Sequence, residues 1–323
     1  MRHTHFALVA VSTLIGVSLA CLPRASAAEE KPQTLEGHTD SVNAVVISPD
    51  GKWLATGGDD DTMRIWTLAP GKLQQTLKGH GDSVVGAAFS PDGTLLASAS
   101  ADDTVKLWDV AEWRELATLR GHGDTVTCVA FSPDGKLLAS GSDDNTIKLW
   151  DVAARKEVDS LKGHGDSVNG LAFSPDGTLL ASAGSDNLLK VWDVAARKEK
   201  ISLRGHTDTV NAVIFFRDGR RLASAGNDGT IKLWDVTKEE ATATLTGHKG
   251  AVRGVALSTV GGDVLASGGI DGTIKLWDVS HQKELATLTG HSDWVNDVTF
   301  TSDGKKLISA SDDDTVKIWP VPK

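Results

Sequence analysis

The chain has 323 residues, with 33 basic against 43 acidic side chains (net charge −10), two cysteines and no tyrosine. An acidic chain with no basic block excludes a general nucleic-acid binder, and two cysteines exclude a fold framed by disulfides. This length predicts one large domain or two ordinary ones.

Residues 1–27 read as a secretory signal: Arg2, His3 and His5 precede an apolar run from Phe6 to Leu22, and Ala25, Ser26 and Ala27 supply the small residues before a cut after Ala27. The run is short for a membrane span and carries Ser12, Thr13, Gly16 and Ser18. Cleavage is therefore expected, leaving no stable span, with an uncleaved N-terminal anchor as the alternative. Ser18 stands three before Cys21, where a lipoprotein signal usually has Leu, so lipid attachment is not expected. The mature chain would act in the periplasm or outside the cell. It would keep one thiol, Cys128, in an apolar strand where a buried, unreactive sulfur is expected.

From residue 28 onward the chain repeats. Gly-His recurs with Gly at 37, 79, 121, 163, 205, 247 and 290, a step of 42 residues with one of 43. In the third copy an alternating run, Thr125–Ser132, leads to the turn Pro133-Asp134-Gly135. A second run ends at Ser142, and Asp143-Asp144-Asn145 turns into a third, Thr146–Trp150. A charged loop then precedes a fourth, Val158–Leu161. Each copy thus predicts four short antiparallel strands. One such sheet cannot bury two apolar faces alone; seven packed around an axis can, and a period of about 40–45 residues belongs to such rings. The expectation is an all-β, seven-bladed propeller over 28–323. Six residues after each His stand Ala44, Gly86, Cys128, Gly170, Ala212, Gly254 and Asp297, mostly small as converging inner strands require. The chain stops soon after the seventh third strand, while Pro32–Glu36 matches a fourth strand, so the N-terminal segment should complete the last blade and close the ring.

Every copy also carries four polar residues at fixed offsets: His38, Thr56, Asp60 and Trp66; His80, Ser98, Asp102 and Trp108; His122, Ser140, Asp144 and Trp150; His164, Ser182, Asp186 and Trp192; His206, Ser224, Asp228 and Trp234; His248, Ser267, Asp271 and Trp277; His291, Ser309, Asp313 and Trp319. Over roughly Gln33 to Trp319 the chain resembles the WD-repeat propellers, and with its leader it reads as a secreted member of bacterial type. The resemblance implies that each set is a hydrogen-bonded tetrad tying a blade's outer loop to its third strand. Seven equal copies of His, Ser and Asp argue for a fastener, since an active site is usually single. No catalytic residue, metal ligand or cofactor is assigned.

Function should then lie where copies differ. The resemblance places the Gly-His loops and the turns between second and third strands on one end of the ring, where partners commonly dock. Asp40, Asp82, Asp124, Asp166, Asp208 and Asp293 follow the histidines, and Asp59, Asp143, Asp312, Asp61, Asp103 and Asp314 flank the tetrad aspartates. This acidic end suits a cationic protein or peptide partner or divalent ions; good turn chemistry is the other reading. The Asp runs lack a calcium-loop spacing. A Lys or Arg two before each tetrad Trp, as in Arg64 or Lys148, should offset part of the charge. The sharpest departures are Lys249, Arg253 and Ile270 in copy six and Trp294, Asn296 and Asp297 in copy seven, the candidate partner-binding residues. The function expected is a monomeric, exported, non-enzymatic scaffold for protein partners. The alternative is an exported propeller enzyme, of hydrolase or lyase type, with its site at the axial channel.

Overall fold

The computed structural model describes residues 31–258, 260 and 263–322; the proposed leader and its cleavage site lie outside them. Among these residues every regular element is a β-strand, arranged in seven four-stranded antiparallel sheets. Blade three shows the pattern: Val126–Phe131 pairs with Leu137–Ser142, that strand with Thr146–Asp151, and that with Lys156–Lys162. The turn after the innermost strand is set by Ser132, whose Oγ donates to Asp134 Oδ1 at 2.7 Å and accepts from Leu137 N at 2.9 Å, while Gly135 takes a φ of 70°. A side chain there would meet the steric cost of the left-handed region.

The inner strands stand side by side around an axial channel. Glycine is used where they come closest: a Cβ on Gly254 would lie 3.0 Å from Asn296 O of the next blade, and one on Gly170 would lie 3.0 Å from Asn211 O. The core is divided accordingly. Seven apolar clusters fill the seven seams between adjacent blades, and each contains the tetrad Trp of the later blade with aliphatic residues of the earlier one. Trp150, for example, packs against Leu107, Leu119 and Val105 of blade two. The inner three strands of each repeat therefore alternate between neighbours on their two sides rather than between core and solvent, which is why they are rich in buried residues, while the outermost strands are largely exposed.

The seventh blade takes its outermost strand from the other end of the chain. Gln33–Glu36 pairs antiparallel with Thr315–Pro320 in the register Gln33↔Ile318 to Glu36↔Thr315. Leu35 is buried in the seam between blades seven and one, so closure is sealed by apolar contact as well as by the ladder. Pro32 precedes this edge strand, where its missing N–H interrupts no ladder bond.

Candidate functional site

The four recurring polar residues meet in every blade. The indole Nε1 donates to the Ser or Thr hydroxyl at 2.8–3.0 Å. That oxygen lies 2.7–2.8 Å from His Nε2. His Nδ1 lies 2.8–3.1 Å from the carboxylate. The chain of donors reads in one direction: indole N–H to hydroxyl oxygen, hydroxyl to imidazole Nε2, Nδ1–H to carboxylate. This needs a neutral imidazole. Burial supplies it, holding His38, His80, His122, His206 and His248 below the ordinary value against the upward pull of their aspartates. Burial alone would raise Asp144; hydrogen bonds from Thr146, Gly123 and His122 outweigh it and hold the carboxyl at about 2. The same balance holds Asp102 and Asp271 at about 2.

This arrangement cannot serve as a nucleophile and base. Ser140 is wholly buried, and its hydroxyl is engaged on both sides by Trp150 and His122, so no substrate reaches it. What the tetrad does is join the loop before the first strand (His), the second strand (Ser), the following turn (Asp) and the third strand (Trp) at one buried point.

The basic residue two before each Trp does not neutralise the acidic end as the sequence suggests. Lys106, Lys148, Lys190 and Lys275 reach outward to Glu115, Glu157, Glu199 and Glu284 on the outermost strands, at 2.8–3.0 Å. Lys232 and Lys317 bond Thr244 and Thr34 on the outermost strands. Of this series only Arg64 turns to its tetrad aspartate, Asp60, at 3.3 Å. The reason is register: in an antiparallel ladder the third-strand Lys stands on the same face as a residue of the adjacent outer strand. The acidic end keeps its charge, and burial together with Asp40, Asp313 and Asp312 pushes the Asp314 carboxyl up.

At the channel mouth a second recurring device appears. Asn43, Asn169, Asn211 and Asn296 each donate Nδ2 to a main-chain oxygen of the next blade, Val84, Val210, Val252 and Val42, at 2.8–3.3 Å. Thr127 does the same to Val168. These bonds latch neighbouring blades together around a channel cavity of about 550 Å³. Val85 and Arg253 occupy the same position in blades two and six and make no such bond. Arg253 instead lies over the Trp294 ring of blade seven, 5.0 Å from its centroid, and its buried Nε–H has no acceptor among the described residues. Trp294 is 40% exposed. Ile270 lies against Gly250, where a Cβ would meet its Cδ1 at 2.8 Å, and Lys249 is exposed beside them.

The six candidate residues thus separate. Lys249, Arg253, Ile270 and Trp294 share one sector of the mouth, on blades six and seven. Asn296 is occupied as a latch, bonded also to Asp312 at 2.6 Å. Asp297 faces inward on the channel wall, where its carboxylate accepts from Val45 N of blade one at 3.0 Å and from Val298 N at 2.8 Å. Burial drives its carboxyl up to about 7 against these two bonds. Cys128 lies on the same wall, with burial pushing its thiol up to about 12, far from a reactive thiolate.

The family model described as WD domain, G-beta repeat matches residues 29–67, 71–109, 113–151, 155–193, 197–235, 239–278 and 282–320, one match per repeat. The chain belongs to the WD-repeat family. Curated relatives align over about a single repeat. Among them, a ribosome biogenesis protein ERB1 of Debaryomyces hansenii is 51% identical over 37 residues, 12% of this chain and 5% of the relative. The small ribosomal subunit protein RACK1y of Oryza sativa subsp. japonica is 54% identical over 39 residues, 12% of each. The target of rapamycin complex subunit wat1 of Schizosaccharomyces pombe is 44% identical over 41 residues, 13% of each. This WD-repeat chain therefore aligns with only 5–13% of these relatives' lengths, the stretch that makes one blade.

The inter-blade latches and the Arg253–Trp294 contact are what sequence reasoning on this WD-repeat protein left out. One signal was available: Asn recurs one residue before the small channel position in four repeats. No spacing within a repeat announces that its partner is the main chain of the next blade.

Proposed function

We propose that this protein is a non-enzymatic scaffold that binds protein partners at the channel mouth, and that it is exported by its N-terminal leader and works in the periplasm or outside the cell. The observation that carries the scaffold reading is the pairing of a 40% exposed Trp294 with an Arg253 that has no hydrogen-bond or ion-pair partner among the described residues. Aromatic and Arg side chains anchor interfaces because they offer large contact area and directional donors at small entropic cost. Membership of a family whose name is that of a repeat, and matches to proteins named as a small ribosomal subunit protein and a target of rapamycin complex subunit, support the same reading. The dominance of fully engaged polar groups supports a non-catalytic ring: tetrad hydroxyls are buried, and the channel carboxyl Asp297 is held by two main-chain donors. The apolar run from Phe6 and the small residues before Ala28 support export.

The test is quantitative crosslinking capture from the source cells with wild-type protein and a Trp294→Ala/Arg253→Gln double variant. At least one specific partner should be lost with the double variant; equal capture of all partners refutes the mouth as the binding surface. Export is checked separately by the N-terminus of the mature chain, expected at Ala28; an unprocessed protein retaining residues 1–27 in the cytoplasm would refute it.

A further inference from the structure

The mouth of the ring is not evenly charged. Three positions per blade carry the additional carboxylates: two after the His, and immediately before and after the tetrad Asp. Blades one and seven fill all three, with Asp40, Asp59 and Asp61 and with Asp293, Asp312 and Asp314, and every other blade fills at least one, except blade six, which has Gly250, Ile270 and Gly272. Blade six is also where basic residues enter the mouth. The residue after the His is Thr, Gly or Ser in the other blades and Lys249 here. The latch position is Asn, Thr or Val elsewhere and Arg253 here. Loss of acid and gain of base thus coincide on one blade of a chain whose net charge is −10.

The Arg253 guanidinium is oriented without being neutralised. Its central carbon lies 5.0 Å from the Trp294 ring centroid, within cation–π range, which holds the charged head beside that ring. No carboxylate among the described residues pairs with it. Asp293 accepts from Trp294 N at 2.8 Å, Asp312 accepts from Asn296, and Asp297 accepts from Val45 and Val298. The side chain has left the latch role that Asn plays in four blades, so its donors are spare. A planar fork of N–H donors matches a carboxylate in bidentate geometry. Trp294 borders it with apolar surface, and Ile270, packed on Gly250 of the same blade, adds a half-buried apolar side chain.

Resting on the scaffold reading, we propose that the blade-six sector receives an acidic–apolar peptide segment of a partner protein: an Asp or Glu carboxylate on the Arg253 fork, with Lys249 as a second cation, and an adjacent apolar side chain on Trp294 and Ile270. The rest of the mouth, being acidic, repels further acid and sets the direction of the segment. This replaces the cationic partner that overall charge suggests with one chosen by the local sector.

The experiment selects a displayed random dodecapeptide library on the whole chain and measures the enriched peptides by fluorescence anisotropy. Enriched peptides should carry Asp or Glu beside Leu, Phe or Trp. Replacing the acid by its amide should weaken binding about tenfold or more. Arg253→Gln should abolish the preference for acid over amide, and Arg253→Lys, which keeps the charge and loses the fork, should restore only part of it. Both variants should melt with wild type, showing an intact ring. Acid and amide peptides binding alike, or Arg253→Gln binding as wild type does, overturns the proposal. Basic peptides that bind best and are lost on Asp312→Asn overturn it while leaving the scaffold reading standing. Failure to enrich any peptide, together with unchanged capture by the double variant, overturns both.

Discussion

Ser140→Ala is the most direct probe of what the tetrads contribute. Ser140 has no exposed surface; its Oγ accepts from Trp150 Nε1 at 2.8 Å and lies 2.7 Å from His122 Nε2. Removing that one oxygen strands an indole donor and an imidazole acceptor together. A buried polar group left without a partner costs ~1–3 kcal/mol. Trp150 is 2% exposed and recovers nothing from water, whereas His122, at 9%, recovers part of its loss through its outer edge. The expected destabilisation is therefore about 2–4 kcal/mol. For a domain this large that lowers the melting midpoint by roughly 4–10 °C. The chain provides its own control. Blade one carries Thr56 at the equivalent position with the same two contacts, at 2.8 and 3.0 Å, so Ser140→Thr keeps the oxygen and adds only a methyl. It should cost about 1 kcal/mol or less. Guanidinium unfolding followed by tryptophan fluorescence, with thermal melts by circular dichroism, measures both. A Ser140→Ala variant within about 0.5 kcal/mol of wild type, or a Ser140→Thr variant equally destabilised, would refute the reasoning, because the hydroxyl would then not be the bonded link.

Three further outcomes follow from the same geometry. Acid should destabilise the ring. The depressed tetrad histidines let the unfolded chain take up protons first as pH falls below 6.5, and Asp102, Asp144 and Asp271, held at about 2, extend the loss from pH 3.8 downward; a midpoint that stays level between pH 7 and pH 4 would contradict this. Asp297 has the opposite sign. Its carboxyl is raised from 3.8 to about 7, so the folded state holds the proton longer and this residue's contribution is lost as pH rises through that window. Asp297→Asn should therefore steepen the rise of stability between pH 4 and pH 7; an unaltered slope in paired melts would count against a raised carboxyl. Finally, Leu35→Ala empties a buried site in the closing seam and should cost about 2–4 kcal/mol, read by chemical unfolding. If the segment did not clasp the last blade, the change would be close to silent.

The ring was legible because a repeat states its design seven times. The step between Gly-His pairs sets the blade, the turn residues bound its strands, and the unmatched segment at Gln33–Glu36 names the strand missing from the end. All of these are contacts within a blade or its copy, where sequence offset and spatial offset are proportional. The tetrad positions were legible for the same reason, since loop, strand and turn of one repeat meet at a constant spacing of side chains.

Contacts between blades also recur at a fixed offset, 41 residues for the latches within the chain, but no spacing inside a repeat shows which group meets which, and that is what tertiary structure alone decided. Asn211 finds Val252 O 41 residues away, Arg253 finds Trp294 at a similar remove, and Asp297 reaches Val45 across the closing seam. Each depends on the rotation from one blade to the next, which brings a side chain of one inner strand to the main chain or ring of its neighbour. The lysines illustrate the same limit: sequence placed them among the aspartates, and strand register turned them to outer glutamates. The sequence by itself thus determined the number of blades, their strands and the closure of the ring, because these rest on repeated local patterns. Only the folded ring determined which charges are consumed and which remain free. A guanidinium is left open when neighbouring carboxylates are already engaged, and that is a property of the assembled seams.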